Sequence, residues 1–511
     1  MIPVEWMPPL MFGGLILFML IGFPVAFSLM AAGLFFSGIA IRQGFFDAVF
    51  LQAIPQRIFG SVLANDLLLA IPFFTFMGAI LERCGLAEEM LDSMGQLFGR
   101  IRGGLGYSVI IVGFVLGAIT GTVAAQVIAM AMISLPVMMR YGYNMRYATG
   151  VLAASGTITQ LVPPSLVLIV LADQLKTQNG SADVGSMYLG AWGPSLLQIG
   201  LFALYTFFLS RFRPHYLPPA PENELTLTGW ALWKKCLMGI IPSAVLIFLV
   251  LGTIMTGIAT PTESGAMGAM GALVLAWLRR ASIPNLRGLI QQAYQNTMRI
   301  TAMVVFILIG STCFSVVFQG VDGGQWVETL FSHLPGGWIG FLIVVNLFVF
   351  FLAFFLDFFE IAFIVVPMLA PVAVKLLSPV LLDSMNGNPQ AAASAALVWF
   401  GVMLCVNMQT SFMHPPFGFA LFYLRGVAPK EVKSSDIYWG ALPWVGLQLI
   451  MVVVVMAFPA LVTTLLDKPA VVVQSQEFNF TGVEEIKPAT SSNKIVDEDA
   501  PVVFQLDKQS R

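Results

Sequence analysis

Charged residues are scarce in this chain: of its 511 residues, only 10% are charged and 58% are hydrophobic. Soluble domains carry about 25% charged residues, so this composition excludes an ordinary soluble globule. The formal net charge of −2 gives no reason to expect nucleic acid as a partner. Histidine and cysteine are also rare, with 3 and 4 residues that are widely spaced and form no metal-binding or CxxC pattern. We expect the cysteines to be small core residues and the protein to need no cofactor other than a coupling ion.

Sequence motifs for nucleotide hydrolysis and for common membrane enzymes are missing. The sequence has no GxxxxGK[ST] loop to bind the phosphates of ATP, no HExxH zinc motif and no GxSxG nucleophile motif. The first ten residues also lack the basic region of a signal peptide, so we expect the first apolar segment to be retained. These absences predict that the protein is neither an ATP-driven pump nor an enzyme.

Long apolar segments, by contrast, recur along almost the whole sequence. About 20 helical residues cross the hydrocarbon core of a bilayer, so the sequence predicts an all-α polytopic membrane protein in contact with lipid. The candidate segments are 8–40, 64–82, 105–139, 145–175, 187–210, 237–258, 262–278, 300–319, 338–374, 391–424 and 437–464. Residues 465–511 are polar and rich in charge, which is typical of a disordered tail.

The segment 105–139 is flanked by basic residues at both ends. Arg100 and Arg102 precede it, and Arg140 and Arg146 follow it. Lys and Arg concentrate in cytoplasmic loops, so both ends of the segment are expected to face the cytoplasm. A helix-turn-helix that enters and leaves by one face is a re-entrant hairpin, which is tolerated where it is buried in protein or lines a cavity.

This hairpin sets the predicted orientation of the remaining segments. Sixteen basic residues then fall in cytoplasmic loops and four on the periplasmic side, apart from those of the tail. The asymmetry predicts a cytoplasmic N-terminus and a periplasmic C-terminus. It also requires the segment 338–374 to be a second re-entrant hairpin, which enters from the opposite face.

Matching landmarks in the two halves indicate an internal repeat. GGLG at Gly103 and GGWIG at Gly336 open the hairpins, and double prolines at Pro163 and Pro415 interrupt the helices that follow. Two halves of opposite orientation form an inverted-topology repeat. The predicted regions are an N-terminal scaffold helix and interfacial arm (1–60), repeat 1 with hairpin 105–139 and broken helix 145–175 (61–200), a cytoplasmic loop and central scaffold helices (201–294), repeat 2 with hairpin 338–374 and broken helix 391–424 (295–464), and the tail (465–511).

Polar and small residues cluster where these helices are interrupted. Interrupted helices free backbone carbonyls that suit Na⁺ and expose helix N-termini that suit a carboxylate. We therefore predict two equivalent sites near the membrane midplane, each formed by a hairpin tip and a helix break. The candidate residues are Thr120, Gly121, Thr122, Gly156, Thr157 and Thr159 in the first half, and Asp357, Asn407, Thr410, Ser411 and His414 in the second.

Structural explanations compete with these functional ones. Any single Gly or Thr is explained by close helix packing. Asp357 is either a helix N-cap or an ion ligand, or both, and Glu360 is expected to be structural. His414 is a proton or substrate contact, or a packing residue, and the packing explanation is favoured. Glu263, in the sequence TPTE, is expected to cap a helix.

Taken together, these motifs resemble one transporter family. The N-terminal MIPVEW, GFPVA at Gly22, IPFF at Ile71, GGLG, TPTE and both double prolines resemble the large membrane subunit of tripartite ATP-independent periplasmic (TRAP) transporters, the DctM-like family. The resemblance covers about residues 1–465. One departure is His414, which stands where many members have Thr before the second double proline.

The resemblance implies a Na⁺-driven, elevator-type secondary transporter of the ion-transporter superfamily in the bacterial inner membrane. Its partners would be a small four-helix membrane subunit and a periplasmic binding protein that delivers a small organic acid. By this resemblance Thr120, Gly121, Thr122, Gly156 and Thr157 would serve one Na⁺, and Asp357, Asn407, Thr410 and Ser411 the other, with Thr122, Gly156, Asp357 and Asn407 as metal ligands. The alternatives are a stand-alone Na⁺- or H⁺-coupled carboxylate symporter and a non-transporting membrane scaffold.

Overall fold

A computed structural model describes residues 3–221, 229–281, 283, 285–332, 334–414 and 418–467. Within these ranges all regular secondary structure is helical, apart from an isolated β-bridge between Lys176 and Ser181. The all-α prediction is therefore confirmed. The polar tail, beyond residue 467, lies outside the described residues, and so does the side chain of Thr120.

The described helices follow one another with short connections. The first ten are α1 (Met7–Leu20), α2 (Val25–Gln43), α3 (Ala53–Arg57), α4 (Ala70–Arg83), α5 (Leu86–Phe98), α6 (Gly104–Thr120), α7 (Val123–Arg140), α8 (Met145–Thr157), α9 (Leu166–Gln174) and α10 (Val184–Phe212). The remainder are α11 (Trp230–Met255), α12 (Pro261–Leu278), α13 (Leu286–Gly320), α14 (Gly323–Ser332), α15 (Gly337–Leu352), α16 (Phe358–Ile364), α17 (Val366–Leu381), α18 (Pro389–Met408), α19 (Phe419–Val427), α20 (Ser434–Ala457) and α21 (Ala460–Thr463).

Seven of the described helices are long and apolar enough to cross a membrane, and two bent helix pairs would raise the number to nine. Large apolar side chains are exposed on the outside of the molecule. Phe248, for example, is 79% exposed. Exposed apolar surface of this extent is stable in lipid but not in water. The chain is therefore a polytopic membrane protein, as predicted.

Helix α18 lies at the centre of the fold, since 89% of the residues in its most apolar stretch are buried. A helix that is apolar on all sides is expected in such a position. The indole of Trp399 on α18 donates a hydrogen bond to the backbone carbonyl of Val455 on α20, at 2.9 Å. This contact holds the central helix against the last long helix.

The first predicted hairpin segment contains two helices joined at a turn, and the second contains three. In the first, α6 and α7 meet at Gly121, whose φ of +62° is a conformation that favours glycine. In the second, α15 is followed by α16 and α17, which are bent by 60° relative to each other. Helix α17 runs to Leu381, seven residues beyond the predicted end at 374, and contains Pro371 and Pro379 in its interior.

The helix breaks begin later than the sequence predicted. Gly156, Thr157 and Asn407, predicted to lie within the breaks, belong to the last turns of α8 and α18. The chain then tightens into 3₁₀ turns at Ile158–Gln160 and at Gln409–Phe412. The first break precedes Pro163, and a proline clashes with the carbonyl of residue i−4, so regular helix is lost only within about one turn of it. Pro415 and Pro416 lie outside the described residues.

Two smaller predictions are also confirmed. Thr260 and Glu263 form a reciprocal capping box at the start of α12, in which the Glu263 carboxylate accepts a 2.8 Å hydrogen bond from the Thr260 backbone. The four cysteines are buried and unpaired by disulfides. Their role is to fill space in the apolar core.

Candidate functional site

The first break is held against the first hairpin by Gln126. This side chain, on α7, donates hydrogen bonds to the backbone carbonyls of Gly113 on α6 at 2.6 Å and of Ser155 on α8 at 2.9 Å. Its carbonyl oxygen accepts from the hydroxyl of Thr159, which also donates to the Gly156 carbonyl at 2.8 Å. One buried amide therefore joins both hairpin arms to the break.

Small residues let these helices approach closely. A Cβ atom at Gly113 would lie 2.8 Å from the Cβ of Ser155, and one at Gly117 would lie 3.2 Å from the Cα of Thr159. A Cβ at Gly156 would lie 2.2 Å from a methyl group of Val127. Glycine is thus needed for packing, as in other membrane helix interfaces. An ion-binding role for Gly156 stays a prediction.

The second break contacts the second hairpin through two asparagines. The amide of Asn407, in the last turn of α18, donates to the backbone carbonyl of Asn346 on α15 at 2.8 Å and to its side-chain oxygen at 3.0 Å. Both side chains are buried. The hydroxyls of Thr410 and Ser411 donate to the helix carbonyls of Asn407 and Met408, both at 2.7 Å. These contacts place Asn407, Thr410 and Ser411 together at one break.

Several buried polar atoms at the breaks have no hydrogen-bond partner among the described residues. They are Ser155 Oγ, Asn407 Oδ1, Gln409 Nε2, Gln448 Oε1 and both amide atoms of Gln160. Polar groups buried without a partner are costly, and each calls for a water, an ion or a ligand. Ser155 and Asn407 each stand eight residues before the first proline of their break, at 163 and 415. Free oxygens therefore occur at the same position in both halves.

Asp357 is the N-cap of α16. Its carboxylate accepts a 2.9 Å hydrogen bond from the backbone of Glu360, and the Glu360 carboxylate accepts one from the backbone of Asp357 at 3.0 Å. This reciprocal capping box agrees with the cap explanation for Asp357 and with the structural explanation for Glu360. The described hydrogen bonds do not join Asp357 to Asn407, so a shared ion site remains a prediction.

His414 lies in an aromatic cluster beside the second break. Its ring stacks on Phe354, with centroids 4.2 Å apart, and meets the edge of Phe350 at 4.5 Å. The side chain is 2% exposed, and neither ring nitrogen forms a well-oriented hydrogen bond to a described residue, although the backbone of Ala353 is close. The ring contacts agree with the favoured packing explanation.

The tip residues of the first hairpin are only partly described. Gly121 forms the turn, and Thr122 is extended at the N-cap of α7 without capping it through its side chain. Thr157 lies deeper in the protein, where its hydroxyl donates to the carbonyl of Ala154 at 2.9 Å. Among the described residues, no cluster of three or more His, Cys, Asp or Glu side chains is arranged to bind a metal.

Four amide side chains that the structure brings to this region were not predicted from the sequence. Gln126, Asn346 and Gln409 lie in or next to the hairpin and break contacts, and Gln448 on α20 donates to the Thr157 hydroxyl at 2.9 Å. Gln126, Asn346 and Gln448 are isolated polar residues within apolar stretches of sequence, whereas Gln409 lies in the polar segment NMQTS. Isolated polar residues face the protein interior in membrane helices, and that signal would have identified the first three.

Comparisons with known proteins agree with the membrane architecture. A family profile described as "Tripartite ATP-independent periplasmic transporter, DctM component" matches residues 12–461. The C4-dicarboxylate TRAP transporter large permease protein DctM of Rhodobacter capsulatus is 27% identical over 468 residues, which are 88% of this chain and 97% of that protein. The sialic acid TRAP transporter large permease protein SiaM of Vibrio cholerae is 26% identical over 439 residues, 86% of this chain and 93% of that protein.

A solved structure shows a similar fold. The YdaH transporter of Alcanivorax borkumensis superimposes with a TM-score of 0.56 and 17% sequence identity over 82% of this chain and 91% of that chain. This likeness concerns the fold alone. The family profile covers most of the chain, and the relatives are transport proteins and not enzymes. The resemblance found in the sequence is therefore confirmed, and the chain belongs to the DctM family of large permease subunits of tripartite ATP-independent periplasmic transporters.

Proposed function

We propose that this chain is the translocating subunit of a sodium-coupled importer of a small organic acid in the bacterial inner membrane. The observation that carries the proposal is the pair of helix breaks with free buried oxygens at matching positions, Ser155 Oγ and Asn407 Oδ1. Oxygen ligands at interrupted membrane helices suit Na⁺, and exposed helix N-termini suit a carboxylate. The Na⁺ ligands proposed are Thr122, Gly156, Asp357 and Asn407, at two sites.

The substrate class rests on the relatives. Those named for C4-dicarboxylates and for sialic acid both transport carboxylic acids. A periplasmic binding protein would deliver the acid, and a small four-helix membrane subunit would bind the exposed apolar surface of this chain. The hairpins 105–139 and 338–374 would enter from opposite faces and move with the broken helices as an elevator, with the N-terminus in the cytoplasm.

Reconstituted transport tests the ion assignment. The three subunits in proteoliposomes are expected to accumulate the acid that co-purifies with the cognate binding protein when external Na⁺ exceeds internal Na⁺. Uptake that is undiminished when K⁺ replaces Na⁺ would refute sodium coupling. Uptake without the binding protein would favour a stand-alone symporter, and failure to accumulate any acid would favour a membrane scaffold.

Cysteine accessibility tests the hairpins. Single cysteines along residues 105–139 are expected to react with a membrane-impermeant reagent from one face only, and those along 338–374 from the other face only. Labelling of the two ends of either segment from opposite faces would mean that the segment crosses the membrane, which contradicts the re-entrant arrangement.

A further inference from the structure

Gln448 is in contact with both helix breaks. Its amide nitrogen donates a 2.9 Å hydrogen bond to the hydroxyl of Thr157 at the first break. The same nitrogen lies 3.5 Å from the side-chain oxygen of Gln409 at the second break, a long and weak hydrogen bond. One side chain on α20 therefore connects the two halves of the candidate site.

The two residues that Gln448 contacts are equivalent in the internal repeat. Thr157 precedes Pro163 by six residues, and Gln409 precedes Pro415 by six residues. Gln448 thus contacts the same position of each break, through one strong and one weak hydrogen bond. A movement of either break relative to Gln448 therefore changes one of these two contacts.

Close packing of two helices fixes this placement. Helix α20 crosses α8 where Gly150 meets Gly440, and a Cβ at Gly150 would lie 2.2 Å from the Gly440 carbonyl. Thr157 and Gln448 follow these glycines by seven and eight residues, two turns further along each helix. The two helices therefore run in parallel from the glycine contact to the break, which leaves Gln448 little freedom to move away.

The amides at this position are only partly satisfied. Gln448 and Gln409 are both fully buried, and Gln448 Oε1 and Gln409 Nε2 have no partner among the described residues. Gln448 thus has an unsatisfied acceptor and Gln409 an unsatisfied donor, and only a weak hydrogen bond joins the two amides. The arrangement of these two amides is able to change when an ion or ligand binds at one break, because a local shift would bring the unsatisfied atoms to new partners.

We infer that Gln448 is a positioning residue that couples the two breaks, so that Na⁺ binding at one raises the affinity for Na⁺ at the other. The inference rests on the proposed function, since it needs an ion site at each break. Coupling between sites is reciprocal, and it requires an element that contacts both sites and responds to each. Gln448 is such an element.

The test compares two buried glutamines at equivalent positions. The sequences YLGAWGP at Tyr188 and YWGALP at Tyr438 are similar, and Gln198 and Gln448 each stand ten residues after the tyrosine. Gln198 is fully buried, and neither of its amide atoms has a partner among the described residues. Gln448→Met removes the contacts with both breaks, whereas Gln198→Met removes a similar amide that makes neither contact.

Calorimetric titration of the purified full-length chain with NaCl, at ionic strength held constant with choline chloride, measures the coupling. The wild-type protein and Gln198→Met are expected to bind Na⁺ with a Hill coefficient above 1. In Gln448→Met the coefficient is expected to fall to about 1, with a several-fold weaker apparent affinity. Gln448→Asn, which keeps an amide but shortens its reach, is expected to behave like Gln448→Met and serves if the methionine variant does not fold.

The outcomes separate this inference from the proposed function. A wild-type chain that binds Na⁺ with a Hill coefficient of about 1 would overturn the coupling and leave sodium binding intact. Unchanged cooperativity in a folded Gln448 variant, or an equal loss in Gln198→Met, would overturn the role of Gln448. A wild-type chain that binds no Na⁺ would overturn the proposed function and, with it, this inference.

Discussion

Asn407 on α18 donates a hydrogen bond to the backbone carbonyl of Asn346 on α15 at 2.8 Å. Asn346 stands ten residues after Gly336, as Gly113 stands ten residues after Gly103. In the first half, Gly113 packs against Ser155, which is the counterpart of Asn407. Each hairpin therefore meets its broken helix at the same relative position. This agreement supports the internal repeat, with an amide pair in one half and a glycine contact in the other.

Loss of the Asn407 side chain is expected to destabilise the protein more than loss of the Asn346 side chain. Asn407→Ala removes both hydrogen bonds to Asn346 and leaves the Asn346 side-chain oxygen without that donor. Asn346→Ala also removes the hydrogen bonds from its own amide to the Leu342 carbonyl and the Met403 sulfur, but its backbone carbonyl still accepts from Asn407, so the Asn407 amide keeps a partner. A buried polar contact of this kind contributes about 1–3 kcal/mol when its partner is left unsatisfied. Unfolding of both variants in mixed detergent micelles measures the difference, and equal destabilisation would contradict the geometry.

Asp357 variants are expected to separate capping from ion binding. Asparagine caps helices about as well as aspartate, so Asp357→Asn should unfold like the wild type, whereas Asp357→Ala should lose about 0.5–2 kcal/mol. Both variants remove the carboxylate charge, and both should lose most Na⁺-dependent uptake while inserting normally into the membrane. Normal uptake by Asp357→Asn would show that the residue acts only as a cap.

A methyl group at Gly156 is expected to disrupt the contact between the first hairpin and its break. The new Cβ would overlap Val127, and overpacking of this kind costs about 1–3 kcal/mol. Gly38→Ala in α2 is the matched control, because nothing lies within 4 Å of its Cβ position. The control should unfold at the same temperature as the wild type or higher. A Gly156→Ala protein as stable as the control would show that the helices can separate at no cost.

Replacement of His414 by phenylalanine is expected to preserve both the fold and transport. Phenylalanine keeps the ring contacts with Phe350 and Phe354 and removes two ring nitrogens that lack well-oriented hydrogen bonds. The melting temperature should therefore be unchanged or higher, and proteoliposome uptake should continue. A folded variant that fails to transport would identify the imidazole as a proton or substrate contact.

A reporter fused after Leu466 tests the orientation. The distribution of basic residues in the loops predicts a periplasmic C-terminus, so alkaline phosphatase at this position should be active. Green fluorescent protein, which does not mature after export through the general secretory route, should be dark there. The opposite result would reverse the predicted topology of every segment.

The sequence predicted the helical membrane class, most of the helix positions and the family. These features follow from local properties: long apolar runs, glycine and proline at interruptions, and short motifs such as TPTE, which forms the expected capping box. The extra bend between α16 and α17 and the later start of both breaks were not predicted. A proline restricts the positions at which a membrane helix can end. The packing of neighbouring helices then determines whether the helix ends there.

Tertiary structure alone decided which polar side chains meet. The sequence by itself determined that this chain lies in a membrane and that its two halves match, because composition, periodicity and repeated landmarks are properties of the chain itself. It could not pair Gln448 with Thr157, separated by 291 positions, or Asn407 with Asn346, separated by 61. Those pairs arise from how helices cross, and a crossing depends on side-chain shapes that become neighbours only in the folded protein.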